Sequence, residues 1–519
     1  MSDKTIDQKE LFGHPIGLFV LFATEMWERF SFYGMKALLV FYLVKYHLFT
    51  DEIGNLTVGS YAALVYALPV LGGYLADKYL GFRKAVIFGG ILLVIGHIGM
   101  AFEGNQAVKL ADGIIKRDEN ALQIFYFSLA FIIMGVGFLK ANISSIVGEL
   151  YAVGDKRRDS GFTIFYMGIN LGSLLATIIC GWLGETYGWG YGFGAAGIGM
   201  TLGLITFVMG QKYFKGKAEP KDLELLNKKT AGLSTEKWIY ILSTLGIIIV
   251  WQMVQNHSVV EKLLLGSGIV SLVYIVYYMI AKSGKIERNR LLALTILIIF
   301  SVLFWALFEQ AYTSLNLFAD RILDRNVFGY EVPASIFLSF NALFIVLFAP
   351  VFAWIWVKLS KKKMNPNAAV KFGLGIMLAG LGFGVLVYGG RISGTGEVAI
   401  IWLVLTYMIH TWGELCVSPV GLSYVTKLSP VKIVGFMMGV WFLATAGAEY
   451  IASVLANIAS IPSVAGEVAD MQLAKMSYLN LFEKLFYTGI VCGVILLALS
   501  PFINKLMHGI DDTNEEESN

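Results

Sequence analysis

Charge is what this 519-residue chain has least of. Only 15% of its residues are Asp, Glu, Lys or Arg, where ordinary soluble domains carry about 25%. With 57% hydrophobic residues and a mean hydropathy of +0.68, the composition excludes a soluble globular protein and reads as an all-α membrane protein. A net charge of +3 offers no basic surface for nucleic acid. The three cysteines, Cys180, Cys416 and Cys492, lie in apolar runs without CxxC spacing. That excludes a disulfide framework or a zinc site and leaves packing as their role. His410 and Glu414 stand four apart, but no third ligand and no HExxH accompanies them, so no metal is expected and His410 reads as core packing or as a modest helper near Glu414. With no nucleophile–base pair and no nucleotide-binding loop either, the chain does not read as an enzyme. The polar N-terminus MSDKTIDQKELFGHP has no basic region followed by a short apolar run, so no cleavable signal is expected.

What the chain does have is long apolar runs. At ~20 residues per span, they fall near 17–44, 56–77, 84–103, 122–150, 160–184, 188–213, 238–255, 260–281, 291–319, 334–358, 369–390, 398–426, 433–460 and 477–503, about fourteen in all. Two polar linkers flank the 238–281 pair, giving three regions: residues 1–213 with six spans, 214–290 with linkers and two additional spans, and 291–519 with six more. Basic clusters at Lys78/Arg83/Lys84, Lys156/Arg157/Arg158, the linkers, Lys358/Lys361/Lys362/Lys363 and Lys427/Lys432 fall on one side if both termini are cytoplasmic.

The two six-span regions repeat one another. Pro69-Val70 matches Pro350-Val351, and Trp27-Glu28-Arg29 matches Phe308-Glu309-Gln310, at one common offset. Lys140 to Ser144 matches Glu414 to Ser418, and Gly161-Phe162 matches Gly435-Phe436, at a slightly smaller one. Related halves with a site near the membrane midplane describe a secondary transporter.

Charges inside the spans are therefore expected to be functional. In ATEMWERFSFYG, Glu25 precedes Arg29 by four residues, Glu28 lies beside them, and Tyr33 and Lys36 continue the same helical stripe. Such a stripe must face water or protein, either as a self-neutralising packing cluster or as the wall of a cavity. The first half carries Arg29, Lys36 and Lys140, and the second carries Glu309 and Glu414. A zwitterion suits that distribution, its carboxylate toward Arg29/Lys140 and its ammonium toward Glu414. The same charges can instead close gates as Lys36–Glu309 and Lys140–Glu414 pairs. Asn170 and Asn341 can bond a substrate or bridge helices. Tyr33, Tyr66, Trp305 and Trp441 can line a pocket or face lipid and core. In GGYLADKYLGFRK, Asp77 and Arg83 are placed to latch neighbouring helices in one conformational state, or else belong to a solvated turn whose bases set topology. Glu449 is a further carboxylate within a span.

These residues resemble the proton-coupled oligopeptide transporter family, the peptide-carrying branch of the major facilitator superfamily. The similarity runs over essentially the whole chain. It rests on ExxER (Glu25 to Arg29), GGYLADKYLGFRK, GFLKANISS, FYMGINLGS and GELCVSPVGLSYVTKLSP followed by MMGVWFLAT. The resemblance implies a major facilitator fold of two six-helix bundles with two extra helices between them. It also implies proton-driven symport of di- and tripeptides by alternating access in a bacterial inner membrane. Glu25, Glu28, Arg29 and Lys140 would couple protons. Arg29, Tyr33, Tyr66, Lys140, Asn170, Trp305, Asn341, Glu414, Ser418 and Trp441 would bind substrate. Lys36, Glu309, Asp77 and Arg83 would gate. Protons are the coupling ion, no cofactor or obligate protein partner is expected, and the lipid bilayer is the solvent. The sequence departs from the family pattern at Ala342, where proline is usual, and at Glu449, where an uncharged polar residue is usual. A carrier of amino acids, nitrate or another small solute is the alternative. A membrane-embedded enzyme or a non-transporting sensor is a more distant one.

Overall fold

The computed structural model describes residues 9–510 except 153, 215, 462, 465, 466 and 469. Fourteen long helices dominate it: α1 (Ile16–Phe41), α2 (Asp51–Leu75), α3 (Phe82–Met100), α4 (Glu119–Glu149), α5 (Arg158–Tyr187), α6 (Trp189–Gly210), α7 (Thr235–Gln255), α8 (His257–Ala281), α9 (Lys285–Phe308), α10 (Ser339–Lys361), α11 (Ala368–Ile392), α12 (Ile400–Leu428), α13 (Val434–Ala456) and α14 (Met471–Met507). Thirteen are long and apolar enough to cross a membrane. The other, α1, continues into a π-helical turn at Tyr42–Tyr46 and has the length; Glu25, Glu28, Arg29 and Lys36 are what lower its apolarity. The chain is a multi-pass membrane protein.

One expected span is broken. Instead of running through 319, α9 ends at Phe308, passes through a 3-10 turn at Glu309–Tyr312, and bends at Thr313 (φ −127°, ψ −97°) before a short helix at Ser314–Arg321. Unwound backbone at membrane depth is tolerated only inside protein. Here it is buried: Gln310 is fully enclosed, its amide donating to the Ala306 and Ala452 carbonyls while Ser314 donates to its oxygen.

Contacts divide the chain into two compact units: the chain up to Leu39 with Ala67–Gln255, and Val40–Tyr66 with the chain from Asn256 onward. Lipid gives helices no hydrophobic reason to associate, so close packing through small residues must do it. In the first unit α1 is gripped by glycines of α5 and α6. A β-carbon at Gly172 would enter the Met26 carbonyl and lie 3.1 Å from Arg29 Cβ; Gly168 faces Phe22, Gly184 faces Leu38, and Gly199 and Gly203 face Phe30 and Trp27. The glycine contacts also repeat between units. In the first, α3 and α4 cross with Gly89 against the Gly135 carbonyl and Gly135 against that of Gly89. In the second, Gly375 and Gly413 bring α11 and α12 together in the same reciprocal way.

The Gly172 contact has a measurable consequence. A Gly172→Val variant must push α5 off the ExxER turn of α1, and overpacking of this kind costs about 1–3 kcal/mol. We expect a lowered midpoint in thermal unfolding of the detergent-solubilised protein, with Gly266→Val, at a glycine facing open space, close to wild type.

Candidate functional site

In the first unit the ExxER residues form one buried cluster. The Arg29 guanidinium stands 3.2 Å from Glu25 Oε1 and 2.5 Å from Glu28 Oε2, with none of the three more than 3% exposed. Arg29 also lies over the Phe32 ring, 5.2 Å from its centroid. Each carboxylate keeps one oxygen, Glu25 Oε2 and Glu28 Oε1, without a hydrogen-bond partner among the described residues. Lys140 on α4 is half-buried and close enough to Glu25 for their charges to interact. Lys36 is buried two turns along α1, and Tyr33 is half-buried with its ring against Phe32. Asn170 is buried but donates to its own helix at the Tyr166 carbonyl, 3.1 Å away.

In the second unit the charge is anionic. Glu414 on α12 accepts from the Asn341 amide of α10 at 2.9 Å, and the same amide donates to Thr411 Oγ1 at 3.1 Å. Glu309, on the unwound turn after α9, lies within electrostatic reach of Glu414. Both carboxylates are buried. Trp305 is half-buried and stacks edge-on with Phe304 and Phe308. Trp441 of α13 fills the space left by Gly421 on α12, and Ser418 sits half-buried on the same helix. Tyr66 is half-buried near the middle of α2. His410 packs against Phe383 (4.7 Å) and Phe308 (6.4 Å), as core packing requires. Glu449 is buried on α13. Among the described residues no three His, Cys, Asp or Glu side chains gather as metal ligands would.

The sequence model of the POT family matches residues 83–472. The chain belongs to the POT family. It is 41% identical over 514 residues to the uncharacterized transporter YclF of Bacillus subtilis, with 98% of each chain covered. It is 36% identical over 528 residues to a di-/tripeptide transporter of Lactococcus lactis subsp. cremoris, covering 98% of this chain and 99% of that one. Among solved structures, a peptide transporter POT in complex with alafosfalin superposes with a TM-score of 0.80 at 38% identity, covering 97% of this chain and 98% of that one. The resemblance carried by the ExxER, LADKYLGFRK and GELCVSP stretches is thereby borne out, and with it the major facilitator type of fold.

Two features of this POT-family chain differ from the reading of its sequence. The Asp77–Arg83 latch is replaced by pairs to the linker after α6. Lys221 reaches Asp77 at 2.5 Å, and Arg83 makes a two-pronged pair with Glu219 at 2.5 and 2.9 Å and a bond to Gln211 at 2.9 Å. Gly81, at φ +75°, turns the chain between the two charges, and the linker's own acids and bases then lie nearer to each than they do to one another. The second feature was missed. In the second unit Arg321 binds Asp51 through two bonds of 2.7 Å and donates to the Tyr478 hydroxyl at 2.9 Å, fully buried, while Lys45 meets Asp320 at 2.6 Å and Arg325 meets Glu331 at 2.7 Å. These charges sit at span ends, where charge is ordinary, so nothing in the local sequence marks them.

Proposed function

We propose that the chain is a proton-driven symporter of di- and tripeptides, working by alternating access in a bacterial inner membrane with both termini in the cytoplasm. The observation that carries this reading is the pair of half-satisfied carboxylates on Arg29. A proton arriving on Glu25 or Glu28 weakens the hold on the guanidinium, which is then available to a peptide carboxylate together with Lys140. Arginine does not release its own proton in proteins, so the mobile proton belongs to the carboxylates. Glu414, steered by Asn341 and Thr411, takes the peptide ammonium. Tyr33, Tyr66, Asn170, Trp305, Ser418 and Trp441 shape the remaining surface for substrate, and Lys36 and Glu309 act in gating. One charge crossing 100 mV yields ~2.3 kcal/mol, enough for more than tenfold accumulation. The six-helix bundles at 1–213 and 291–519, with 214–290 between them, are the working parts we assign. No cofactor is required.

The test is uptake of labelled dialanine into proteoliposomes under an imposed inward proton gradient. Wild type is expected to accumulate peptide in a gradient-dependent way and Lys140→Ala to fail. In the same assay Glu414→Ala should weaken dialanine uptake at least tenfold, the scale of a lost charge-assisted contact at a desolvated site. An acetylated dialanine, which has no ammonium, should compete equally poorly against both proteins. Undiminished uptake by Glu414→Ala would favour a small anion as the substrate.

A further inference from the structure

Away from these residues, a groove of about 350 Å³ opens between α11, α12 and α14, at the lower end of the ~300–1,000 Å³ typical of small-molecule sites. We propose that it binds one phospholipid with a primary-ammonium head group, of the phosphatidylethanolamine class, head at Arg391 and Glu483 and one acyl chain along α11. Three observations carry this. The groove has a charged mouth: Arg391 Nη2 stands 2.8 Å from Glu483 Oε2, and no other bond to either side chain is made among the described residues. That leaves further guanidinium N–H groups for a phosphate and one carboxylate oxygen for an ammonium, a zwitterionic pair matching a zwitterionic head group.

Next, the groove has the depth of one leaflet. It runs along α11 from Arg391, the penultimate residue of that helix, to Leu381. Ten residues at 1.5 Å rise make ~15 Å, half of the ~30 Å hydrocarbon core. Below the charged mouth it is lined by apolar groups, with Gly384 keeping the floor low where its missing side chain admits Phe486. Finally, aromatic rings surround the mouth. Tyr388 and Tyr487 are 59% and 56% exposed, and Trp402 lies against Gly389 with Tyr388 edge-on at 5.5 Å. Tyr and Trp concentrate at that depth of a bilayer. A primary ammonium is favoured over a quaternary one because only the former can donate hydrogen bonds to Glu483.

The test is lipid retention by the purified full-length protein, read by native mass spectrometry after exchange into mixed micelles holding equal amounts of phosphatidylethanolamine, phosphatidylcholine and phosphatidylglycerol. We expect one phosphatidylethanolamine retained preferentially, and about fivefold less of it in Glu483→Gln and in Arg391→Gln, the scale of one charge-assisted contact at a partly exposed site. Val385→Trp, which fills the apolar floor, should displace it while Glu483→Gln and wild type show the same unfolding midpoint without lipid. Equal retention of the three lipids overturns the proposal, as does preference for phosphatidylglycerol or phosphatidylcholine. Retention unchanged in all three variants overturns it too.

Discussion

Arg29→Ala is expected to abolish proton-driven peptide uptake and to destabilise the first unit by about 3–5 kcal/mol, the cost of removing one partner from a buried ion pair. Glu25 and Glu28 are 3% and 0% exposed and both lie against Arg29, so its loss removes the ion-pair partner of two buried carboxylates and leaves only Lys140, among the described residues, as a cation near Glu25. The two effects separate by a further substitution. Adding Glu25→Gln and Glu28→Gln to Arg29→Ala removes that buried charge and should recover most of the unfolding midpoint. It should recover none of the uptake under the proposed function, in which both the proton site and the carboxylate-binding guanidinium are then gone. Thermal unfolding in detergent and gradient-driven uptake in proteoliposomes measure the two quantities on the same preparations. Recovery of uptake in the triple variant would reduce the cluster to a packing device. Failure of stability to recover would place the damage in the packing that Arg29 makes beyond its β-carbon, such as its guanidinium over the Phe32 ring.

The contrast between that cluster and the network around Asp51 shows what a sequence can disclose. A charge in the middle of an apolar run is costly enough to need a reason, so Glu25, Glu28, Arg29, Lys140 and Glu414 stood out against their neighbours. Helical spacing alone put Glu25 beside Arg29. The bond from Asn341 to Glu414 joins α10 to α12, and spacing along one helix says nothing of it. Thr411, sharing the same amide, had no mark at all, since a threonine in a membrane helix ordinarily bonds its own backbone, as Thr411 also does to Tyr407. The break after Phe308 was hidden for a related reason: FWALFEQAYTS has neither proline nor glycine, and the unwound turn is held by Gln310 reaching the Ala452 carbonyl of another helix. The linker partners of Asp77 and Arg83 were out of reach because Glu219 and Lys221 lie in polar sequence where any charge looks solvated. Local energetic expense is legible in a sequence, and partnership across distant segments is not.

The larger of the missed features should also be the easier to measure. Asp51→Ala or Arg321→Ala alone is expected to cost about 3–5 kcal/mol, because each removes one partner of a buried ion pair; their side chains are 2% and 3% exposed. Exchanging the pair, Asp51→Arg with Arg321→Asp, should restore a large part of that loss, and a double-mutant cycle of Asp51→Ala, Arg321→Ala and the two together should give a coupling energy of about 0.5–3 kcal/mol on unfolding midpoints. Restoration will be incomplete, since an aspartate at 321 cannot donate to the Tyr478 hydroxyl as Arg321 does. The pair bears on transport through connectivity. Lys45 follows α1 and Asp51 opens α2, while Arg321 and Asp320 end the short helix after α9. If the cycle moves α1 and α2 as whole helices against the short helix after α9, Asp51–Arg321 and Lys45–Asp320 would break together. Interactions that exist in one state alone set the balance between states, and losing ~1.4 kcal/mol from one of them changes the ratio tenfold. Single substitutions should accordingly lower gradient-driven uptake more than the charge exchange does, with peptide binding in detergent preserved in all three. Equal uptake by the single and exchanged variants would mean that the pair stabilises the fold and takes no part in the cycle.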